Sequence, residues 1–367
     1  MRLVFLTQVV DADHPALAQT VDLVRALAGR CERVVVLCDR VGRHELPPGV
    51  ELRTFGAATR LGRGLRFERA LAPALLRGPA PDAVLSHMVP LFLLLAAPPA
   101  KARRVPLLLW YTHWHADRSL RAATRIADAV LSVERASFPL ETPKLVATGH
   151  AIDLERFRPG ERPAPGGPLR LLALGRTARW KGYDTLLEAA RLALARGVDL
   201  RLEIRGPQLT ADERAHRDEL ERLAAGPPLA GRVALAPPVA REQVPALLAA
   251  ADALVSPTQP ASGEALDKAV LEAAACAVPV LSSNGALAPL LDGLALPLRF
   301  PPRDAQALAA LLARLAEAGP EARASVGAEL RRRVEAAHSL ESWADQVVAL
   351  VARLRGGRRA GSPAQRA

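Results

Sequence analysis

At 367 residues the chain is long enough for two domains, each with its own core. Half of it is hydrophobic and 24% charged, which excludes a disordered chain. Its longest apolar run, Val89 to Ala97, falls well short of the ~18 residues a membrane span needs. The 49 basic against 38 acidic residues leave a net charge of +11, which favours anionic partners. Only four of those bases are lysine, however, and aromatics make up 4%, too few for base-stacking platforms, so nucleic acid is not expected. Three cysteines, Cys31, Cys38 and Cys276, show no metal spacing and read as core residues of a reducing compartment.

MRLVFLTQVV opens as a strand without a signal-peptide core, so a cytoplasmic protein is expected, at most held on the inner face of the membrane. Strands LVFLTQVV, RVVVLCD, VELRTFG, DAVLSHM and VPLLLWYTH follow in order, with helices ALAQTVDLVRALAG, RFERALAPALL and LRAATRIA between or after them. AVLSVE and KLVATG close the first half. Residues 151 to 168, rich in Pro, Gly and charge, read as a linker. The alternation then restarts with LRLLALG, a helix from Tyr183, LRLEIRG, a charged helix from Ala211, RVALAP, a helix near Glu242, ALVSP, a helix through Ala273, PVLSSN and a last strand LALPLRF. Helices from Ala305, Glu321 and Leu340 follow, the last ending near Leu354, and no further internal repeat is expected. Such alternation predicts an α/β protein of two doubly wound parallel sheets, which bind ligands outside the carboxyl ends of their strands.

Two stretches carry candidate chemistry. In GRTARWKGYD a strand ends at Gly175, a loop carries Arg176, Arg179 and Lys181, and a helix begins near Tyr183. Cations at a strand's carboxyl end beside a helix N-terminus form a pyrophosphate site, although the loop alone reads equally as a solvated turn. It matches neither the GxGxxG nor the Walker-A pattern.

In GEALDKAVLEAAACAVP, Glu264 and Glu272 stand eight positions apart in an apolar stretch. On a helix that interval is about 12 Å along the axis and about 80° of rotation. It is too long for two carboxylates sharing one bond and suits two ends of an extended ligand. Gly263 permits close approach of phosphate to a helix whose first turn holds Glu264 and Asp267.

GRTARWKGYD, the glutamate pair in EALDKAVLEAAACAVPVLSSN and GHAIDLERFRP together resemble the retaining glycosyltransferases of family 4, the group 1 glycosyl transferases, over nearly the whole chain. TQVVDADHP, LSHM and WYTHWH resemble more narrowly a bacterial and archaeal branch of that family. The resemblance implies a GT-B fold, two Rossmann-like domains facing across a cleft, with a C-terminal helix crossing back to the first. By this reading residues 1–155, with a crossover helix 339–355, form the acceptor domain. Residues 156–167 are a linker, 168–338 the nucleotide-sugar domain and 356–367 a disordered tail.

It further implies that Arg176 and Lys181 neutralise the donor diphosphate. Glu264 would contact the sugar hydroxyls, with Gly263, Ala265 and Leu266 in the same wall, and Glu272 the ribose. His113, with Glu264 the expected catalytic pair, would reach toward sugar or acceptor, with His87 beside it. No cofactor beyond a nucleoside-diphosphate sugar and no metal is expected. Asp11-Ala12-Asp13 mimics a metal motif but lies in the first loop of the other domain. Ala277 and Ala286 stand where glycine is usual, and both are expected close to the nucleotide site.

The implied activity is sugar transfer, with retention, to a glycan, lipid-linked or small-molecule acceptor. A GT-B epimerase or hydrolase, or a non-catalytic basic binding protein, are the alternatives. In Arg60–Arg77, arginines recur every third residue from Arg60 to Arg69, beside Leu61 and Leu65. The segment reads either as an amphipathic helix for anionic lipid or as a solvated face.

Overall fold

A computed structural model describes residues 1–14, 17–113, 115–162, 166–259 and 267–360. The chain divides into two compact units, residues 1–151 together with those from His338 onward, and residues 152–337.

The first unit contains β1 (Arg2–Val10), α1 (Gln19–Ala28), β2 (Arg33–Val41), β3 (Val50–Thr54), α2 (Arg60–Leu76), β4 (Ala83–His87), α3 (Pro90–Ala102), β5 (Leu107–Trp110), α4 (Arg118–Ile126), β6 (Ala129–Ser132) and β7 (Leu145–Ala147). Its sheet is parallel throughout, in the order β3-β2-β1-β4-β5-β6-β7.

In the second unit lie β8 (Leu169–Leu174), α5 (Tyr183–Ala195), β9 (Leu200–Arg205), α6 (Ala211–Ala224), β10 (Val233–Ala236), α7 (Val244–Ala249), β11 (Ala253–Ser256), α8 (Lys268–Ala275), β12 (Val280–Ser282), α9 (Ala288–Leu291), α10 (Ala305–Glu317) and α11 (Gly319–His338). This sheet is also parallel, in the order β10-β9-β8-β11-β12. In both sheets the first strand of the unit sits where the strand order reverses, β1 between β2 and β4 and β8 between β9 and β11. Those reversals are the topological switch points at which open α/β sheets bind ligands.

One five-residue pattern builds three of the strands, although the sequence reading found no such repeat. Asp-Ala-Val-Leu-Ser begins at Asp82 and again at Asp128, and Asp-Ala-Leu-Val-Ser begins at Asp252. Each aspartate accepts the backbone N–H at the start of the neighbouring strand: Asp82 from Arg2 at 2.5 Å, Asp128 from Leu107 at 2.8 Å and Asp252 from Arg170 at 2.9 Å. Each also donates its own N–H back to that residue's carbonyl. The side chain thus closes a ladder end that a parallel sheet leaves open. Asp82 pairs besides with Arg355, and Asp252 with Arg323 at 3.7 Å.

The final helix, α12 (Leu340–Ala360), belongs to the first unit. Trp343, Ala344, Val347, Leu350 and Val351 are buried in the core that also holds Phe5, Leu23, Val36 and Trp110. Trp343 is fully buried, its ring 4.7 Å from that of Trp110. The opposite face of the same sheet is filled by Phe55, Phe67 and Phe92, whose ring centroids lie 5.1–5.5 Å apart.

Four features differ from the sequence reading. The apolar run after Val89 is helix α3, which continues through Pro98 and Pro99 because Phe92, Leu93, Ala96, Ala97 and Ala100 bury one side of it. LALPLRF forms only a single bridge, Ser282 to Arg299, where Pro297 has no N–H to give a ladder. Helix α12 runs on to Ala360 instead of ending near Leu354, and Arg355 is tied to Asp82 in its last turns. Finally, α8 begins at Lys268 with Asp267 as its cap, so Asp267 stands before the first turn and not within it.

Candidate active site

The loop after β8 and the loop after β11 meet at the switch point of the second unit. Gly182 adopts φ 69°, and a Cβ there would lie 2.2 Å from the Pro257 carbonyl oxygen, so only glycine lets the two loops close together. The Gln259 N–H then donates to the Trp180 carbonyl at 2.7 Å. On the other side, the Thr177 hydroxyl donates to the carbonyl of Glu213 in α6 at 3.1 Å. The basic loop is therefore held from both flanks.

Each cation that the sequence reading assigned to a diphosphate is paired with a buried carboxylate. Arg176 pairs with Glu213, the third residue of α6. The other Glu213 oxygen accepts the Leu209 N–H at 2.6 Å. Burial pushes the Glu213 carboxyl up, but Arg176 and the backbone donors outweigh it and hold it below its ordinary value.

Lys181 Nζ lies 2.6 Å from Asp267 Oδ2, with side-chain exposures of 10% and 11%. The same carboxylate accepts the Ser256 hydroxyl at 2.9 Å and caps α8 through the Ala269 N–H at 3.3 Å. Burial again pushes the acid up, yet the Lys181 ammonium, Ser256 and Ala269 together hold Asp267 below the usual carboxylate range. Arg179 turns outward to Glu219 at 2.9 Å. One α8 N–H, at the helix start that the sequence reading offered to phosphate, is thus already capped by the chain's own carboxylate.

Glu272 is buried on α8, 2.9 Å from Arg241 and 3.3 Å from Lys268. The Arg241 guanidinium also lies over the Phe157 ring at 5.1 Å. Gly263, Glu264, Ala265 and Leu266 lie outside the described residues. Ala277 follows the C-terminal end of α8 with φ 57°, and its carbonyl accepts from Arg162 and packs on Gly327. The α-carbon geometry that glycine adopts freely is here forced on alanine.

In the first unit, His87 ends β4 and His113 follows β5, strands paired through His87 and Trp110. His87 is buried, its Nδ1 3.1 Å from the Thr7 hydroxyl and its ring against Phe5 and Trp110. His113 is exposed, and its Nδ1 accepts the His115 N–H at 3.2 Å. Partial desolvation, with His115 adding to it, lowers its proton affinity. Met88 between these segments has φ 65°, and its sulfur accepts from both the N–H and the hydroxyl of Thr112. A non-glycine residue in that region marks strain at the switch point of this sheet.

The Asp11–Asp13 motif is occupied from within the protein. Asp11 accepts the N–H groups of Asp13 and Arg43, and Asp13 pairs with the Arg43 guanidinium at 2.7 Å. Among the described residues no three His, Cys, Asp or Glu side chains gather into a metal-holding group.

Glu213, Asp267 and Arg241 are the site residues that sequence reasoning did not assign. The only sequence signal for Asp267 was its place beside a helix start, and for Glu213 the Thr-x-x-Glu pattern of a capped helix.

Comparison with known proteins places this geometry. Among solved structures, HepE from Anabaena, in a complex with UDP, aligns over 96% of this chain and 100% of its own with a TM-score of 0.76 at 18% identity. Sucrose-phosphate synthase from Thermosynechococcus elongatus aligns over 97% of this chain and 100% of its own with a TM-score of 0.74 at 19% identity. The two Rossmann-like units with their switch-point loops define a protein of the GT-B fold. Residues 168–318 match the family described as glycosyl transferases group 1, and the chain is a relative of that family.

D-inositol 3-phosphate glycosyltransferases from Geodermatophilus obscurus and Catenulispora acidiphila are 35% and 31% identical over 193 and 181 residues. Those stretches cover 48% and 46% of this chain, and 42% and 41% of the two relatives, less than half of either.

Proposed function

We propose that the protein transfers a sugar from a nucleoside-diphosphate sugar to an acceptor, with retention and without a metal ion. The observation that carries this reading is the placing of Arg176 and Lys181 on one loop at the switch point of the second sheet, each braced by a buried carboxylate. Cations set in advance at that position stabilise the charge that grows on a departing diphosphate, which is electrostatic preorganisation. They supply the positive charge that a metal supplies elsewhere.

Glu272 serves the ribose by this reading, held in place by Arg241 and Lys268. Glu264, with Gly263, Ala265 and Leu266, is assigned to the sugar. His113 and His87 are assigned to the acceptor side. UDP is the first nucleotide to try, because HepE is solved with it. The relatives' names make an inositol phosphate one acceptor to include.

The test is incubation with UDP- and GDP-sugars in the presence of chelator, with and without a mixture of glycan, lipid-linked and inositol phosphate acceptors. Diphosphate release that needs an acceptor is the expected result. Donor cleavage with no acceptor would make the protein an epimerase or hydrolase. Activity lost to chelator and restored only by Mg²⁺ or Mn²⁺ would refute metal independence.

The protein is proposed to work in the cytoplasm, with α2 resting on an anionic membrane surface. No described helix is long and apolar enough to cross a membrane. Phe67, Leu71 and Leu75 bury one side of α2 in the core, while Leu61 and Leu65 stay 76% and 65% exposed beside Arg60 and Arg69. Exposed leucines flanked by arginine fit the interface of a bilayer carrying negative headgroups. The full chain should sediment with vesicles containing anionic lipid at low salt and be released by salt. Leu61→Ser/Leu65→Ser should weaken this about tenfold. Equal recovery with neutral and anionic vesicles would contradict the assignment.

A further inference from the structure

Lys181 is a buried cation in a tight setting. Its ammonium rests on the Asp267 carboxylate at 2.6 Å and lies 4.9 Å from the centre of the Trp180 ring. The Asp267 carboxylate is saturated by donors that all come from the switch point. These are Lys181 from the loop after β8, Ser256 and Thr258 from the end of β11, and the Ala269 N–H of α8.

One carboxylate therefore ties together the three elements that surround the proposed diphosphate. A lysine carries three N–H donors, of which Asp267 takes one and fixes the direction of the others. A flexible four-carbon stem left without this anchor spreads its charge over many rotamers, and the cost of ordering it falls on ligand binding.

We infer that Asp267 is a positioning residue for donor binding, which aims the Lys181 ammonium at the nucleoside diphosphate and makes the site prefer a diphosphate over the bare nucleoside. This inference rests on the nucleotide-sugar reading and deepens it. Asp267 makes no contact with the ligand itself in this account and acts only through Lys181.

The test compares calorimetric titrations of the full chain with UDP, uridine, GDP and guanosine, for the wild type and Asp267→Asn. Asparagine keeps the shape and the cap but removes the charge. In the variant the diphosphate should bind at least about tenfold more weakly, with the nucleoside unchanged. In a Lys181→Met background the same Asp267→Asn change should have no further effect on the diphosphate.

Diphosphate affinity that is unchanged or tighter would overturn the inference, as would an equal loss for nucleoside and diphosphate, since a merely structural role moves both. Should Asp267→Asn fail to fold, Ser256→Ala removes one hydroxyl from the same carboxylate. It should weaken the diphosphate alone by a few-fold, and no change there would equally overturn the inference. A wild-type chain that binds neither diphosphate more tightly than its nucleoside would overturn both this inference and the reading beneath it. A wild type that does so, with an indifferent Asp267→Asn, would overturn this inference alone.

Discussion

Lys181→Met should cost the protein both its diphosphate affinity and a measurable share of its stability. The two losses have separate origins. Removing the ammonium deletes a charge-assisted hydrogen bond to phosphate, so the affinity for UDP or GDP should fall by roughly 10- to 100-fold. It also leaves Asp267 buried without its counter-charge, and breaking one half of a buried ion pair costs about 3–5 kcal/mol.

Replacing both partners, Lys181→Met with Asp267→Asn, removes the stranded charge. The double variant should therefore regain much of the stability and none of the affinity. Thermal melts of the three variants beside titrations with the diphosphate would check this. A Lys181→Met chain as stable as wild type would show that the pair is solvated, and one with wild-type affinity would remove Lys181 from the site.

Trp343→Ala should produce a comparably large loss of stability, in the other unit. The indole is fully buried in the core shared by β1, α1, β2 and α12, tilted against Trp110 with ring centroids 4.7 Å apart. Emptying such a position costs about 3–5 kcal/mol, through lost transfer energy and the cavity left behind. In a unit of this size that lowers the melting temperature by roughly 10 °C.

Two thermal transitions are expected, and only the one belonging to the first unit should move. The transition raised by added diphosphate should stay where it was, because a ligand stabilises the unit that binds it. His87 rests on Trp110 with ring centroids 5.1 Å apart, so the same variant should loosen the histidine as well. Trp343→Phe should recover most of the loss. A shift under about 2 °C for Trp343→Ala would mean that α12 is not part of the first core.

The alternation of strands and helices was legible because both sheets are parallel and their strands read as continuous apolar runs. Arg176 and Lys181 were legible for the same reason: a basic loop between a strand end and a helix start needs no partner to be noticed. Their partners were not. Glu213 stands 37 positions from Arg176, Asp267 86 from Lys181 and Arg241 31 from Glu272. Only the sheet order, which sets the segments after β8, β9, β10 and β11 side by side, brings these pairs together.

The three Asp-Ala-x-x-Ser strands show the opposite case. There the signal was in the sequence, but its meaning, a side chain closing the start of a neighbouring strand, appears only with the register. Helix α3 defied the usual reading of Pro-Pro as a stop, because packing of five apolar residues outweighs the missing hydrogen bonds.

The central claim is that the loop from Arg176 to Lys181, at the switch point of the second sheet, holds a nucleoside diphosphate. The most direct measurement is calorimetric titration of the full chain with UDP and GDP against uridine and guanosine, in wild type and Arg176→Ala. One diphosphate should bind wild type at least about tenfold more tightly than its nucleoside, and that preference should collapse in Arg176→Ala. A diphosphate preference that survives Arg176→Ala intact, or no preference in wild type, would contradict the account.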